Sequence, residues 1–204
     1  MPNFAVLIRR PLLAVAAALL LAAPARAAAP ADTVTGFHEV LIGNMKQGAT
    51  LGCSGRSGKL APAIDAGFDL PFLASRVMRR HWKALSPEQQ ARFTTAFREL
   101  VLATYTSQFA KFGGERFETL ATKELADGSR QVNAKLTPGS GNPVNFDYVL
   151  RDVGGQWKIV NVVADGVSDL AIRASQYDKA MKAVGFDGLV RQIEAQTATN
   201  KAGC

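Results

Sequence analysis

The feature that most constrains the fold of this 204-residue chain is a change of hydrophobic period near Arg116. From there to Ala164 apolar and polar residues alternate in short runs, which is typical of strands that bury one face. Asp127-Gly128, the segment 138–143 and Gly154-Gly155 separate the runs and are turn signals. The pattern predicts four strands, at 117–125, 130–136, 144–153 and 156–164. Short turns between consecutive strands make them antiparallel.

Alternation also predicts which strand residues share a face, because successive side chains point to opposite sides of a sheet. The shared faces are Val132, Ala134 and Leu136 in the second strand, Val144, Phe146, Tyr148 and Leu150 in the third, and Trp157, Ile159, Asn161 and Val163 in the fourth. The opposite face of the fourth strand is also partly apolar. We therefore expect that strand to be covered on both sides.

Helical periodicity flanks the strands on both sides. The predicted helices are 32–46, 69–83 and 86–112 before the strands, and 168–184 and 187–196 after them. Asp69, Ser86 and Ser168 are the expected N-caps, and Ser86 with Gln89 forms a capping box. The glycine-rich segment 48–58 is predicted to be a loop. Helices before and after four consecutive antiparallel strands indicate a single α+β domain.

An apolar stripe runs along the helix that begins after Ser86. Its members, at helical spacing, are Phe93, Phe97, Leu100, Val101, Tyr105, Phe109 and Phe112. Such a stripe is more often part of a core than the wall of a ligand pocket. The spacing alone leaves both interpretations open.

Residues 1–27 have the composition of a secretory signal peptide. Arg9 and Arg10 precede an apolar run at 12–23, which is shorter than the roughly 20 residues of a membrane span. The small residues Ala25 and Ala27 fit a cleavage site, so we expect cleavage after Ala27 and export to the periplasm.

The mature chain, 28–204, is long enough for one domain with its own core. Removal of the three arginines of the signal lowers the formal net charge from +7 to +4. Scattered basic residues do not indicate a nucleic-acid partner. A mildly basic protein is suited instead to transient contact with anionic membrane surfaces.

The two cysteines, Cys53 and Cys204, are a candidate disulfide pair, because an oxidising compartment preserves such bonds. A bridge between them would close a very long loop and would stabilise the fold by roughly 4 to 5 kcal/mol in the chain-entropy model. The sequence leaves the pairing open, since Cys204 stands at a position where a chain end can fray.

No motif in the sequence indicates catalysis, a metal site or a cofactor. The histidines, His38 and His81, stand alone in predicted helices and make no zinc-binding pair. An enzyme acting on apolar rings would need an acid or base in a cavity, for which the candidates are Asp147, Asp165 and Tyr148. We expect a protein that is not an enzyme.

Several segments, in order and spacing, resemble the MlaC family of periplasmic lipid-binding proteins. They are Phe68-Asp69-Leu70 with Trp82, the 85–93 segment, Trp157-Lys158-Ile159, Gly166-Val167-Ser168 and the 183–190 segment. Asn161 and Ile172-Arg173, together with the run 161–170, look most like the hopanoid-associated HpnM branch of the family.

The resemblance implies a curved sheet of nuclear-transport-factor-2-like (NTF2-like) shape, with helices over it that enclose an apolar lipid cavity. It favours the interpretation of the aromatic stripe as partly lining. The predicted lipid-binding residues are Phe93, Phe97, Leu100, Val101, Tyr105, Val132, Ala134, Leu136, Phe146, Tyr148, Leu150, Ile159 and Val163. Arg76, Arg79 and Arg80 are either part of the rim or an ordinary solvated face.

The function implied by the resemblance is that of a periplasmic carrier for a phospholipid or a hopanoid. Its expected partners are an inner-membrane lipid transporter and an outer-membrane complex. Two alternatives remain open at this point: an adaptor of a transport complex that carries no lipid, and an enzyme of NTF2-like fold. A cavity left unfilled by side chains favours the carrier, and dense packing throughout favours the adaptor.

Overall fold

The computed structural model describes residues 29–204, so the predicted signal peptide lies outside the described residues. Within that range the order of elements is α1 (Pro30–Lys46), α2 (Gly48–Gly67), α3 (Leu70–Met78), a 3₁₀ helix (Arg79–Ala84), α4 (Pro87–Gln108), β1 (Arg116–Glu124), β2 (Arg130–Thr137), β3 (Val144–Val153), β4 (Gln156–Ala164), β5 (Val167–Ser168) and α5 (Asp169–Ala202). The predicted α+β class is confirmed.

The strands form one antiparallel sheet in the order β1-β2-β3-β4-β5, so the prediction of four strands is one short over residues 29–204. The added strand is a two-residue segment in which Ser168 pairs with Val163 and Val167 pairs with Ala164. Asp165 and Gly166, with φ of 46° and 81°, make the tight turn before it. A strand of two residues is too short to show a hydrophobic period.

Helix N-termini follow the predicted capping residues. The Ser86 side chain accepts a hydrogen bond from the backbone of Gln89, whose side chain accepts one from the backbone of Ser86, as in a capping box. Asp69 caps α3, and Ser168 caps α5. The C-terminal ends differ from the prediction, because α4 stops at Gln108 and α3 gives way to the 3₁₀ helix after Met78.

The glycine-rich segment predicted as a loop is instead part of α2, and this prediction was wrong. The helix bends at Gly52, which has φ of 58°. Beyond the bend, Arg56, Leu60 and Ile64 recur every four residues and are buried. Tertiary packing of this face outweighs the low helix propensity of the glycines.

The C-terminal end of α5 is linked to α2 by a disulfide and by hydrogen bonds. The predicted break at Gly185 is present, with φ of 68°, and the helix continues beyond it to Ala202. Cys53 and Cys204 are bonded in the structure. Buried Arg56 donates hydrogen bonds to the carbonyl oxygens of Gly48 and Cys204. These contacts hold the C-terminal end of the chain against α2.

Candidate functional site

An apolar cavity of about 330 Å³ lies between α4 and the face of the sheet formed by β3 and β4. Phe97, Val101 and Tyr105 recur at helical spacing on α4 and form one wall. The lining is completed by Phe68, Leu73, Val77, Thr104, Gln108, Phe109, Phe146, Tyr148, Ile159, Asn161, Val162, Ala164, Val167, Asp169, Leu170, Ile172 and Arg173. Side chains therefore leave unfilled space at the centre of this part of the fold.

A β-bulge decides which β4 residues face the cavity. Leu150 pairs with Ile159 and Val149 with Asn161, which leaves Val160 as an extra residue. One extra residue reverses the alternation beyond it. Val162 and Ala164 consequently line the cavity.

The structure brings together part of the predicted lipid-binding set. Phe97, Val101, Tyr105, Phe146, Tyr148 and Ile159 lie in the cavity wall. The others lie outside that wall: Phe93, Leu100, Val132, Ala134, Leu136, Leu150 and Val163.

Three causes explain five of these seven positions. Phe93, Val132 and Leu150 are completely buried because neighbouring elements fill the space around them. Leu100 faces a groove between α4 and α5. The bulge places Val163 on the face opposite Val162.

The predicted lipid-binding set did not include cavity residues from two other segments. Phe68, Leu73 and Val77 come from the end of α2 and from α3. Their spacing of four to five residues near a helix start is a signal that could have suggested them. Val167 and Ile172 come from β5 and the first turn of α5, and no period marks them because the segment is so short.

The cavity opens beside β5 and the start of α5. Val167 and Ile172 line it and are 55% and 44% exposed, although both are apolar. Two further lining residues form an ion pair, in which Arg173 Nε donates to the Asp169 carboxylate over 2.7 Å. The mouth thus combines exposed apolar side chains with one pair of opposite charges.

Buried polar groups near the cavity are held neutral. His38 Nε2 lies 2.9 Å from the hydroxyl of Tyr148, and burial lowers the pKa of His38 to about 4. Burial also raises the pKa of the hydroxyls of Tyr105 and Tyr148 above their usual range. At neutral pH these groups add hydrogen-bonding capacity without adding charge.

Of the candidate acids and bases, Tyr148 lies in the cavity wall, where burial raises the pKa of its hydroxyl, whereas Asp147 and Asp165 are not lining residues. Asp147 accepts a hydrogen bond from Asn133, and Asp165 accepts one from the backbone of Asn145. Among residues 29–204, no group of three or more His, Cys, Asp and Glu side chains could hold a metal ion. The helices of the same range include none with the length and apolar character of a membrane span. The cavity is therefore suited to burying apolar surface.

The chain is similar in sequence and in fold to known lipid-binding proteins. The profile of the family described as "MlaC protein" matches residues 38–195. The chain is 27% identical over 190 residues to "Toluene tolerance protein ttg2D" of Pseudomonas putida, an alignment that covers 89% of this chain and 86% of that protein. It is 24% identical over 131 residues to "Intermembrane phospholipid transport system binding protein MlaC" of Haemophilus influenzae.

The alignment with the Haemophilus influenzae protein covers 62% of this chain and 61% of that relative. Among solved structures, the phospholipid-binding protein of Ralstonia solanacearum in complex with a phospholipid is similar, with a TM-score of 0.71 and 22% identity. That similarity covers 85% of this chain and 99% of the other. It extends the likeness from sequence to the whole fold.

Proposed function

The chain belongs to the MlaC protein family, and we propose that it is a periplasmic protein that binds a phospholipid and carries it between membranes. The acyl chains would occupy the cavity between α4 and the sheet. The observation that carries this proposal is the unfilled apolar cavity with one open end. Solved relatives of similar fold include a phospholipid-bound protein, which supports the same ligand class.

The energetic reason for a carrier is the cost of exposing hydrocarbon to water. Each CH₂ group costs about 0.8 kcal/mol, so a sixteen-carbon chain in water meets a barrier of about 12 kcal/mol. A protein cavity removes most of that cost during transit. The cavity supports a carrier over a non-carrying adaptor, because an adaptor has no need of unfilled space in its interior.

Transfer of the lipid would require partner proteins and a membrane surface. Partners would be an inner-membrane lipid transporter and an outer-membrane complex, with brief membrane contact at the mouth near Val167 and Ile172. We expect release to be driven by a movement of α4 away from the sheet that widens the mouth, because the cavity lies between them. A crosslink from α4 to β3 that left the rate of lipid transfer unchanged would contradict this opening.

The direct test is native mass spectrometry of the mature protein, purified from the periplasm without detergent, followed by lipid extraction. We expect about one phospholipid per protein. A hopanoid in its place would support the carrier function and identify a different cargo. Bare protein that also takes up no lipid from vesicles would overturn the proposal.

A matched pair of variants locates the site. Val162→Trp places a large ring in the cavity and should abolish copurified lipid, whereas Val163→Trp, on the opposite face, should retain it. Circular dichroism of both variants checks that the fold is kept. Equal lipid content in the two variants would place the ligand elsewhere.

A further inference from the structure

A second depression, of about 530 Å³, adjoins the cavity mouth between α4 and α5. The two spaces share five lining residues, which are Thr104, Gln108, Asp169, Ile172 and Arg173. Because the same side chains border both, the two spaces are adjacent. We call this depression the α4–α5 groove.

The walls of the α4–α5 groove differ in chemistry from those of the cavity. The cavity is lined mostly by aliphatic and aromatic side chains. The groove carries the amides of Gln108, Gln176, Gln192, Gln196 and Asn200. Amides donate and accept hydrogen bonds without charge, so the groove suits a polar group that adjoins an apolar one.

Arg173 stands where the two spaces meet, and its side chain is only 17% exposed. Among residues 29–204 its one carboxylate partner is Asp169, which is bound at Nε. A guanidinium bound at Nε keeps the edge formed by its two terminal nitrogens, which offers two parallel N–H donors. This edge matches the spacing of two oxygens of a phosphate.

Tyr177 lies one turn beyond Arg173 and also lines the groove. The residue is 7% exposed, and its buried hydroxyl has the Arg173 guanidinium as a polar neighbour. Burial raises the pKa of this hydroxyl, so it is a donor at neutral pH. Arginine can only donate, so the O–H proton of Tyr177 still lacks an acceptor, and a ligand oxygen that reached it would satisfy it.

We propose that Arg173 and Tyr177 bind the phosphodiester of a lipid whose acyl chains fill the cavity, and that the α4–α5 groove receives the rest of the head group. This assignment rests on the proposed phospholipid binding and adds to it the position of the head group. Asp169 continues to hold Arg173 through Nε. The amides would hydrogen-bond the hydroxyl groups of a glycerol head.

The test compares two lipids that share their acyl chains and differ in phosphate. Full mature protein, stripped of lipid, is loaded from vesicles that contain equal amounts of dioleoylphosphatidylglycerol and dioleoylglycerol, and the bound lipid is extracted and quantified. We expect the phospholipid to be enriched about tenfold in the wild type, which corresponds to one charge-assisted hydrogen bond at the low end of the usual range. Arg173→Gln and Tyr177→Phe should each bring the ratio towards one without lowering the total lipid bound.

Two further variants separate a specific contact from a loss of charge. Arg191→Gln removes a positive charge from an exposed position of the same helix outside both spaces, and it should keep the wild-type ratio. Arg173→Lys keeps the charge without the planar fork and should give an intermediate ratio. Thermal unfolding of all four variants checks that each is folded.

The possible failures are distinct. Protein that loads neither lipid contradicts phospholipid binding itself. Wild-type protein that loads both lipids equally overturns the phosphodiester site and leaves the carrier proposal in place. Glycerol 3-phosphate, which has the phosphate without chains, should compete only at far higher concentration. Competition as strong as that of the lipid would reveal a site for free anions and would overturn the head-group assignment.

Discussion

The two ends of α4 use the same kind of side chain for different purposes. Near its start, Phe93 is fully buried and packs edge-on against Trp82 and Tyr177, with ring centroids 6.2 Å and 5.8 Å apart. Three turns later Tyr105 borders the cavity, although it also touches Phe37 and Phe68. One continuous aromatic stripe therefore serves as core at one end and as cavity wall at the other.

What differs between the two ends is the surface opposite α4. The 3₁₀ helix and α5 supply Trp82 and Tyr177, which fill the space around Phe93. Opposite Tyr105, β4 presents the smaller side chains of Val162 and Ala164, and space is left unfilled. The periodicity of one helix predicts which face is buried, whereas the partner elements decide whether that face meets protein or a cavity.

The largest expected difference between the two ends of α4 is in the free energy of unfolding after one aromatic residue is truncated at each end. Phe93→Ala should lower the free energy of unfolding by about 3 to 5 kcal/mol, because it opens a hole in a filled core. Phe109→Ala, at the half-buried cavity end, should cost only about 1 kcal/mol, since less packing is lost there. Urea denaturation of both variants measures the difference. Similar losses at both ends would show that the cavity end is packed as tightly as the core end.

A pH titration examines the boundary between packed core and cavity, where His38 bonds to Tyr148. The unfolded pKa of His38 is 6.5 and the folded one is about 4, so below pH 6.5 the unfolded state binds the proton more tightly. Its contribution should therefore lower the free energy of unfolding as the pH falls from 6.5, by about 3 kcal/mol in total near pH 4. At neutral pH no such penalty is present.

The comparison that isolates this effect uses His38→Gln and His81→Gln. Stability measured by urea at pH 7 and pH 4 should fall less in His38→Gln than in the wild type. His81 pairs with the partly exposed Asp178, and its replacement should leave the contribution of His38 intact. If His38→Gln loses as much stability as the wild type between the two pH values, His38 is not held neutral by burial.

Local signals predicted the parts of the fold that depend on neighbouring residues. The capping residues Ser86 and Ser168, the break at Gly185 and the bounds of β3 and β4 all follow from residue types within a few positions. The helix in 48–58 could not be predicted this way, since its stability comes from burial of Arg56 and the residues that follow it.

The candidate site was harder to predict because it depends on register and on partners. The bulge at Val160 leaves no mark on a sequence whose two faces are both partly apolar, and so Val162 and Ala164 line the cavity where Val163 was predicted to do so. Phe93 and Phe97 share one stripe, and only the three-dimensional arrangement separates the residue in the core from the one in the cavity wall. Family resemblance indicated a cavity, but it did not resolve which side chains border it.

The smallest expected effect tests whether the two ends of α4 are independent. Ser86→Ala removes the side-chain cap at the core end and should lower the free energy of unfolding by about 1 kcal/mol. The cavity lies several turns away, beyond the packed ring of Phe93, so lipid loading should be unchanged. Chemical denaturation and lipid extraction on the same preparation measure both quantities. A loss of bound lipid in this variant would mean that fraying at the start of α4 reaches the cavity wall, and the division of the helix into core and wall would have to be abandoned.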